Sequence, residues 1–303
     1  ILCVNTQDRT NVLKELFPAM KKDIKDTMTV MEEYPVTVRL LDPPLHEFVP
    51  HSQLGRKELS SALGIAEDEV HKRVDALAES NPMMGHRGVR LSVTYPEVTE
   101  YQVRAILEAA AELIVDGKKV IPEIMVPVTC DVRELEYVRK IVVRVHEEIQ
   151  RRFDLKKFEY RLGTMIEIPR AALMADELAR VAEFFSFGTN DLTQMTFGFS
   201  RDDTGSFMNS YLEKRMLGAD PFQTIDQEGV GALIKLAAAG GRHTNPKIKL
   251  GICGEQGGDS ASVEFCHNAG LTYVSCSPFR VPVARVAAAQ AALKANRTAQ
   301  DKD

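Results

Sequence analysis

The chain has 303 residues, of which 44% are hydrophobic and 27% charged, a balance typical of a globular protein with a sizeable core. Its net charge is only −5, and lysine and arginine are spread along the whole length, which argues against nucleic acid or an anionic membrane as the main partner. Five cysteines without a CxxC pair indicate reduced thiols, and the absence of a visible signal peptide or of an apolar run near 18 residues leads us to expect a chain that is not secreted and has no membrane partner.

Helical and strand-like segments alternate along the sequence. Apolar residues at helical spacing predict a leading helix over 9–33. The remaining predictions, in chain order, are a strand at 36–42, polar helical sequence at 56–80, a short β-like run at 89–93, a helix at 99–116, a strand at 123–128, a helix at 131–152, a strand at 164–168, a helix at 170–181, a strand at 184–188, a loop-rich insertion to about 224, a helix at 226–239, a strand at 248–252, a helix at 260–269, a strand at 272–275 and a helix at 281–295.

The strands lack polar alternation, which indicates a parallel sheet buried on both faces. Either a doubly wound sheet or a (β/α)8 TIM-type barrel fits this order. The barrel is favoured because its strand ends all converge on one mouth, where functional residues collect. Chemically active side chains follow the predicted strands here: Arg39, Glu167, Asn190, Asp191 and Cys253. We therefore predict one barrel domain over 1–303, with 1–33 as its leading helix.

Two carboxylates end neighbouring strands. Glu167 closes an apolar strand, and Asp191 follows the next one after Gly188-Thr189-Asn190. A buried carboxylate needs a cation, and two carboxylates with substrate and water are the usual set for Mg²⁺. The alternative is structural: a glutamate paired with an arginine, and an aspartate that caps a helix. Spacing alone leaves both open.

Two arginines are candidates for binding an anion. Arg39 lies in an apolar strand, and Arg87 stands between glycines with His86 beside it. The guanidinium fork suits carboxylate and phosphate groups. The alternative is structural ion pairing with Asp42 or Glu47.

Cys253 stands at the start of a glycine-rich turn directly after a predicted strand. A thiol at that place could exchange a proton or act as a nucleophile, although a lone cysteine is more often a packing residue. Met165 could cover an apolar part of a ligand or simply pack in the core. His46 and His86 are predicted to be hydrogen-bonding supports near the mouth.

Several of these segments together resemble the pyruvate phosphate dikinase family of phosphoenolpyruvate (PEP)-utilising enzymes. The similar runs are residues 38–48, 84–91, 164–170, 186–194, 251–255 and 275–282. PEP synthase and the enzyme I of sugar phosphotransferase systems share the Glu, Asn-Asp and Cys-Gly motifs. The run Leu-Asp-Pro-Pro-Leu-His-Glu-Phe at 41–48 favours the dikinase family.

The resemblance implies a role for each candidate residue. Glu167 and Asp191 would hold Mg²⁺, and Arg39 and Arg87 would clamp the phosphoryl group. Asn190, with the backbone around Gly188 and Thr189, would fix the substrate carboxylate or phosphoryl oxygens, and Met165 would flank them. Cys253 would be the acid–base group at the methyl carbon. The resemblance also implies pyruvate or PEP as substrate, a phosphohistidine domain of the same enzyme as partner, a homodimer, and a cytoplasmic, plastid or glycosomal location.

The chain departs from the family pattern in two respects. Gln256 stands where a histidine is expected, and only six of eight barrel strands can be matched, so the first two are expected to precede residue 1. The ATP-grasp domain and the phosphohistidine motif are also absent. We therefore expect the pyruvate half-reaction alone, while ATP and phosphate are handled elsewhere. The alternatives are a PEP synthase or enzyme I-type barrel, or a non-catalytic dimerisation module.

Overall fold

The computed structural model describes residues 2–3 and 5–300, with side chains as far as residue 295. Within this part of the chain the strands are β1 Pro35–Arg39, β2 Ile121–Val126, β3 Arg161–Ile166, β4 Phe184–Gly188, β5 Lys249–Cys253 and β6 Tyr273–Val274. The α-helices are α1 Thr6–Val30, α2 Gln53–Leu63, α3 Glu67–Ala76, α4 Val89–Thr94, α5 Pro96–Val115, α6 Val132–Arg152, α7 Pro169–Leu173, α8 Ala175–Leu178, α9 Thr189–Phe197, α10 Met208–Glu213, α11 Val230–Thr244, α12 Ser260–Asn268 and α13 Val281–Gln300.

The chain divides into two compact units. The first comprises the described residues up to Val128 together with Glu136–Arg161, and the second comprises Thr129–Leu135 and the residues from Leu162 onward. In the first unit, β1 and β2 pair in parallel, with Pro35 opposite Ile121 and Arg39 opposite Met125. Helix α1 packs along α5 in the same unit. Strand β1 ends at Arg39, one of the two arginines predicted to bind an anion.

The second unit contains four strands in parallel, in the order β3-β4-β5-β6. All five residues of β4, Phe-Phe-Ser-Phe-Gly, are buried, as expected of a strand covered on both faces. Gly163 in β3 accommodates the ring of Phe184, which leaves no room for a side chain there. The parallel register sets Gly188 at the end of β4 opposite Cys253 at the end of β5.

The helix–strand alternation and the parallel pairing within each unit confirm the predicted α/β class, consistent with a TIM-type barrel that has six strands in the described chain. The prediction of one domain over 1–303 stays a prediction.

Three local predictions were wrong, and one is the loop-rich insertion to about 224, which begins with helix α9 and also contains α10. Residues 89–93 form helix α4 rather than a strand, because Gly88 turns the chain with φ +58° and Val89 N–H donates to Pro127 O at 3.1 Å. Five residues are too few to separate a strand pattern from a helical one. The single helix predicted at 170–181 is instead two short helices, α7 and α8, separated at Met174.

Candidate active site

The ends of β4 and β5 lie side by side and lead into two different structures. Helix α9 begins at Thr189, immediately after Gly188, and ends at Phe197, followed by Gly198 in the left-handed conformation common after helix ends. Strand β5 ends at Cys253 and continues into a turn through Gly254, whose φ is +117°. The pairing of Gly188 with Cys253 thus places the start of α9 next to the Cys253 turn.

Glu167 lies against the end of β4. Its residue is 1% exposed and follows β3 directly. A Cβ atom on Gly188 would lie 2.5 Å from Glu167 Oε2 and 2.8 Å from Met165 Cε. Glycine is therefore needed at position 188 so that this carboxylate and the Met165 side chain can approach the strand. The structure thus brings Glu167, Met165 and Gly188 together within the second unit.

The first turn of α9 carries Thr189, Asn190 and Asp191. The first backbone N–H groups of a helix have no partner within the helix, and the helix dipole makes this end favourable for an anion. Asn190 Oδ1 accepts a hydrogen bond from Glu255 N–H at 3.3 Å, which ties this turn to the loop after β5. An aspartate in a first helical turn also suits the dipole, so the structural interpretation of Asp191 remains compatible with its place.

The Cys253 thiol is half-buried and held by β4. Ser186 Oγ donates to the sulfur at 3.2 Å, and the thiol donates to Phe187 O at 3.6 Å. The sulfur of Cys253 is therefore tied to β4 by two hydrogen bonds.

The two arginines of the first unit share a carboxylate. Arg87 is 3% exposed and donates to Asp42 from Nε at 3.3 Å and from Nη2 at 2.8 Å. Arg39 is 46% exposed, and its Nη1 lies 3.3 Å from Asp42 Oδ2. The ion-pairing interpretation with Asp42 is therefore right for both arginines.

The two histidines have different surroundings. His86 Nε2 lies 2.6 Å from Thr94 Oγ1, and its backbone N–H donates to Glu79 Oε1 at 2.6 Å. The His46 ring lies 6.1 Å from the ring of His51. His86 thus anchors the turn that presents Arg87.

The family described as PEP-utilising enzyme, PEP-binding domain, matches residues 2–293. The chain belongs to this family. This confirms the resemblance drawn from the six motifs, since the match covers all of them.

Several pyruvate, phosphate dikinases are similar to this chain in sequence. The chain is 55% identical over 294 residues to pyruvate, phosphate dikinase of Clostridium symbiosum, covering 97% of this chain and 34% of that protein. It is 51% identical over 301 residues to pyruvate, phosphate dikinase of Rhizobium meliloti (strain 1021), covering 99% and 33%. It is 54% identical over 296 residues to the chloroplastic pyruvate, phosphate dikinase 1 of Arabidopsis thaliana, covering 96% and 30%. The chain therefore spans about a third of the length of these curated relatives.

The PEP-binding domain offers a small donor set for a metal. Among the described residues, no group of three or more His, Cys, Asp or Glu side chains could hold an ion. Mg²⁺ is commonly bound by only one or two carboxylates, with water and substrate oxygens as the other ligands. The Glu167 carboxylate, buried against Gly188, and Asp191 in the first turn of α9 fit this kind of site in number and chemistry.

The contacts of two residues, one in each unit, were not predicted from the sequence. Ser186 holds the Cys253 sulfur, and the only signal for it was a single hydroxyl within an apolar strand. Asp42 was considered only as an alternative partner, yet it organises both arginines.

No described helix combines the length and the apolar character that crossing a membrane requires.

Proposed function

We propose that the chain is a single PEP/pyruvate-binding barrel domain that carries the pyruvate half-reaction of a pyruvate, phosphate dikinase. In this half-reaction a phosphoryl group passes between a phosphohistidine on another domain and the enolate of pyruvate. The observation that carries the proposal is the pairing of Gly188 with Cys253, which sets a hydrogen-bonded thiol beside a helix N-terminus.

Proton transfer is assigned to Cys253. The thiolate takes a proton from C3 of pyruvate, and the resulting enolate oxygen forms a bond to phosphorus as the N–P bond of the phosphohistidine breaks. The Ser186 hydroxyl, 3.2 Å from the sulfur, steadies the thiolate and keeps it at the end of β5. Met165 would cover the apolar methyl or methylene group beside Gly188.

Substrate oxygens are assigned to the start of α9 and to the arginines. The backbone around Gly188 and Thr189, together with Asn190, would orient the carboxylate or phosphoryl oxygens. Arg39 and Arg87 would match the negative charge that spreads over the phosphoryl group during transfer. Glu167 and Asp191 would hold Mg²⁺, which when bound supplies a positive charge to the enolate oxygen.

The test of this function is exchange of the C3 protons of pyruvate with solvent deuterium, measured by NMR with Mg²⁺ in the full-length protein that contains this chain. We expect Cys253→Ala to slow exchange at least about 100-fold, as loss of a general acid–base does, while Mg²⁺-dependent oxalate binding is retained. Cys130→Ala is the matched control, because Cys130 is a half-buried thiol of the same unit that contacts Glu134 instead. If Cys253→Ala exchanged the C3 protons at the parental rate, Cys253 would not be the acid–base group.

The acceptor and the assembly need separate tests. Similarity to pyruvate, phosphate dikinases favours inorganic phosphate as a co-substrate of the complete enzyme. Phosphate-independent formation of PEP from ATP and pyruvate would instead indicate a PEP synthase. We also propose a homodimer, and sedimentation with and without oxalate and Mg²⁺ would separate a ligand-binding domain from a module that only dimerises.

A further inference from the structure

Gln256 connects three segments of the second unit through one buried side chain. It lies in the turn Glu255–Gly258 after β5, and it is 0% exposed. Its Nε2 donates to Pro221 O at 2.9 Å, and its Oε1 accepts from Thr189 Oγ1 at 2.5 Å. The start of α9, the turn after β5 and the connection before α11 therefore meet at this amide.

Hydrogen-bond chemistry fixes which way the amide faces. The carbonyl oxygen of Pro221 can only accept, so the NH₂ group of Gln256 has to face it. Its oxygen then faces Thr189, and the threonine hydroxyl must be the donor. The same hydroxyl lies 3.1 Å from Cys253 O, which also only accepts. The single hydroxyl proton of Thr189 is thus directed toward the β5 turn, and a ligand at the start of α9 meets the Thr189 backbone N–H instead.

The close approach of the two segments depends on Gly254. A Cβ atom at this position would lie 2.5 Å from Thr189 Oγ1, and the φ of +117° is one that other residues rarely adopt. The turn after β5 can therefore press against α9 only with glycine at 254, and Gln256 then holds the contact through a hydrogen bond.

We infer that Gln256 is a positioning residue for the site. It fixes the position of the Thr189 hydroxyl, whose single proton is shared between Gln256 Oε1 and Cys253 O, and so keeps the start of α9 in place against the main chain of Cys253. The consequence for ligand binding rests on the proposed function, whereas the consequence for the thiol does not.

The test compares four variants of the chain. Gln256→Met keeps the approximate shape and loses both hydrogen bonds, and Gln256→His can restore both, because a neutral imidazole has one N–H and one lone pair. Thr189→Val removes the donor while Gln256 keeps its bond to Pro221. Gln194→Met is the matched control: Gln194 is a buried amide in α9 that accepts from Arg201 N–H at 3.0 Å and contacts neither Thr189 nor Cys253 through a hydrogen bond.

Two quantities are measured for each variant: the rate of Cys253 alkylation by iodoacetamide, resolved from the other thiols by peptide mass spectrometry, and the Mg²⁺-dependent dissociation constant of oxalate. We expect Gln256→Met and Thr189→Val to change the Cys253 rate about threefold or more and to weaken oxalate about tenfold, the scale of one lost buried hydrogen bond. Gln256→His should return both values to within about twofold of the parent.

The inference is overturned if the folded Gln256→Met or Thr189→Val variant keeps the parental Cys253 rate. It is also overturned if Gln194→Met, at an equal loss of melting temperature, changes that rate as much, since the effect would then be general loosening. If the parent chain fails to bind oxalate, the proposed function is in question, but the alkylation comparison still decides the role of Gln256.

Discussion

Asp42 forms ion pairs with both Arg39 and Arg87 in the first unit, and Asp42→Asn tests how much these ion pairs stabilise the fold. The variant keeps the size of the side chain and one carbonyl oxygen but removes the charge. Arg87 then remains buried with its shared counter-charge gone, while Arg39 can turn toward solvent because almost half of its side chain is already exposed.

The expected cost follows from burial. Asp42 is 4% exposed and Arg87 3%, with their closest contact at 2.8 Å. Removing one partner of a buried ion pair costs about 3–5 kcal/mol. The amide oxygen of asparagine still accepts one hydrogen bond, so we expect the lower end, about 3 kcal/mol. The control is Asp75→Asn, whose carboxylate is 66% exposed beside Arg56 and should contribute about 1 kcal/mol or less.

Urea unfolding followed by far-UV circular dichroism measures both free energies, since the chain has no tryptophan for fluorescence. Hydrogen exchange of the peptides around Asp42 and Arg87 shows whether the loss is local. A further variant, Asp42→Leu with Arg87→Leu, should be less destabilised than Asp42→Asn, because the buried Arg87 charge is removed together with that of Asp42. Equal losses for Asp42→Asn and Asp75→Asn would refute this account of the pair.

Three further predictions concern other parts of the chain. Burial raises the pKa of the Cys266 thiol to about 12 from an ordinary value near 9, so the folded state keeps a proton that the unfolded chain loses as the pH rises. Between pH 8 and 10 the free energy of unfolding of the parent should therefore fall about 1.4 kcal/mol more than that of Cys266→Ala. Urea midpoints that change in parallel with pH for the two proteins would contradict this. Gly188→Ala should cost about 1–3 kcal/mol in urea unfolding because its Cβ would press on Glu167, whereas Gly205→Ala, with open space around it, should change stability by less than about 0.5 kcal/mol. Glu123→Gln should lower the free energy of unfolding by about 1–3 kcal/mol and speed hydrogen exchange in β2, because the fully buried carboxylate accepts hydrogen bonds from Thr37 and Arg161. Unchanged exchange would show that the charge of Glu123 is dispensable.

The sequence was sufficient for the fold class because its strongest signals are local. Apolar runs without alternation, separated by helical stretches, predict buried parallel strands, and β2 to β5 lie where such runs occur. The errors arose where local signals are weak. The alternating Val89–Val93 segment suits either period, and its helix is decided by the positive φ of Gly88 and a bond to Pro127, which are set by tertiary contacts.

The arginines show the limit of assigning a role from residue type alone. A guanidinium in an apolar context needs an anion, and sequence offered either a ligand or Asp42 as that anion. The structure shows that Asp42 fulfils part of this need for both Arg39 and Arg87. Residue type alone therefore does not separate a structural ion pair from a ligand-binding role for these two arginines.

The contacts around Cys253 could not be predicted residue by residue, because each joins positions more than 60 residues apart: Ser186 to Cys253, Thr189 to Gln256, and Asn190 to Glu255. They nevertheless share one origin. Once β4 and β5 pair in parallel with Gly188 opposite Cys253, residues just before and after Gly188 must face residues just around Cys253. A single strand register thus accounts for the hydroxyl on the sulfur, for the amide on Thr189 and for the tie between the two loops. A sequence method that obtained this register would recover the site together with the fold.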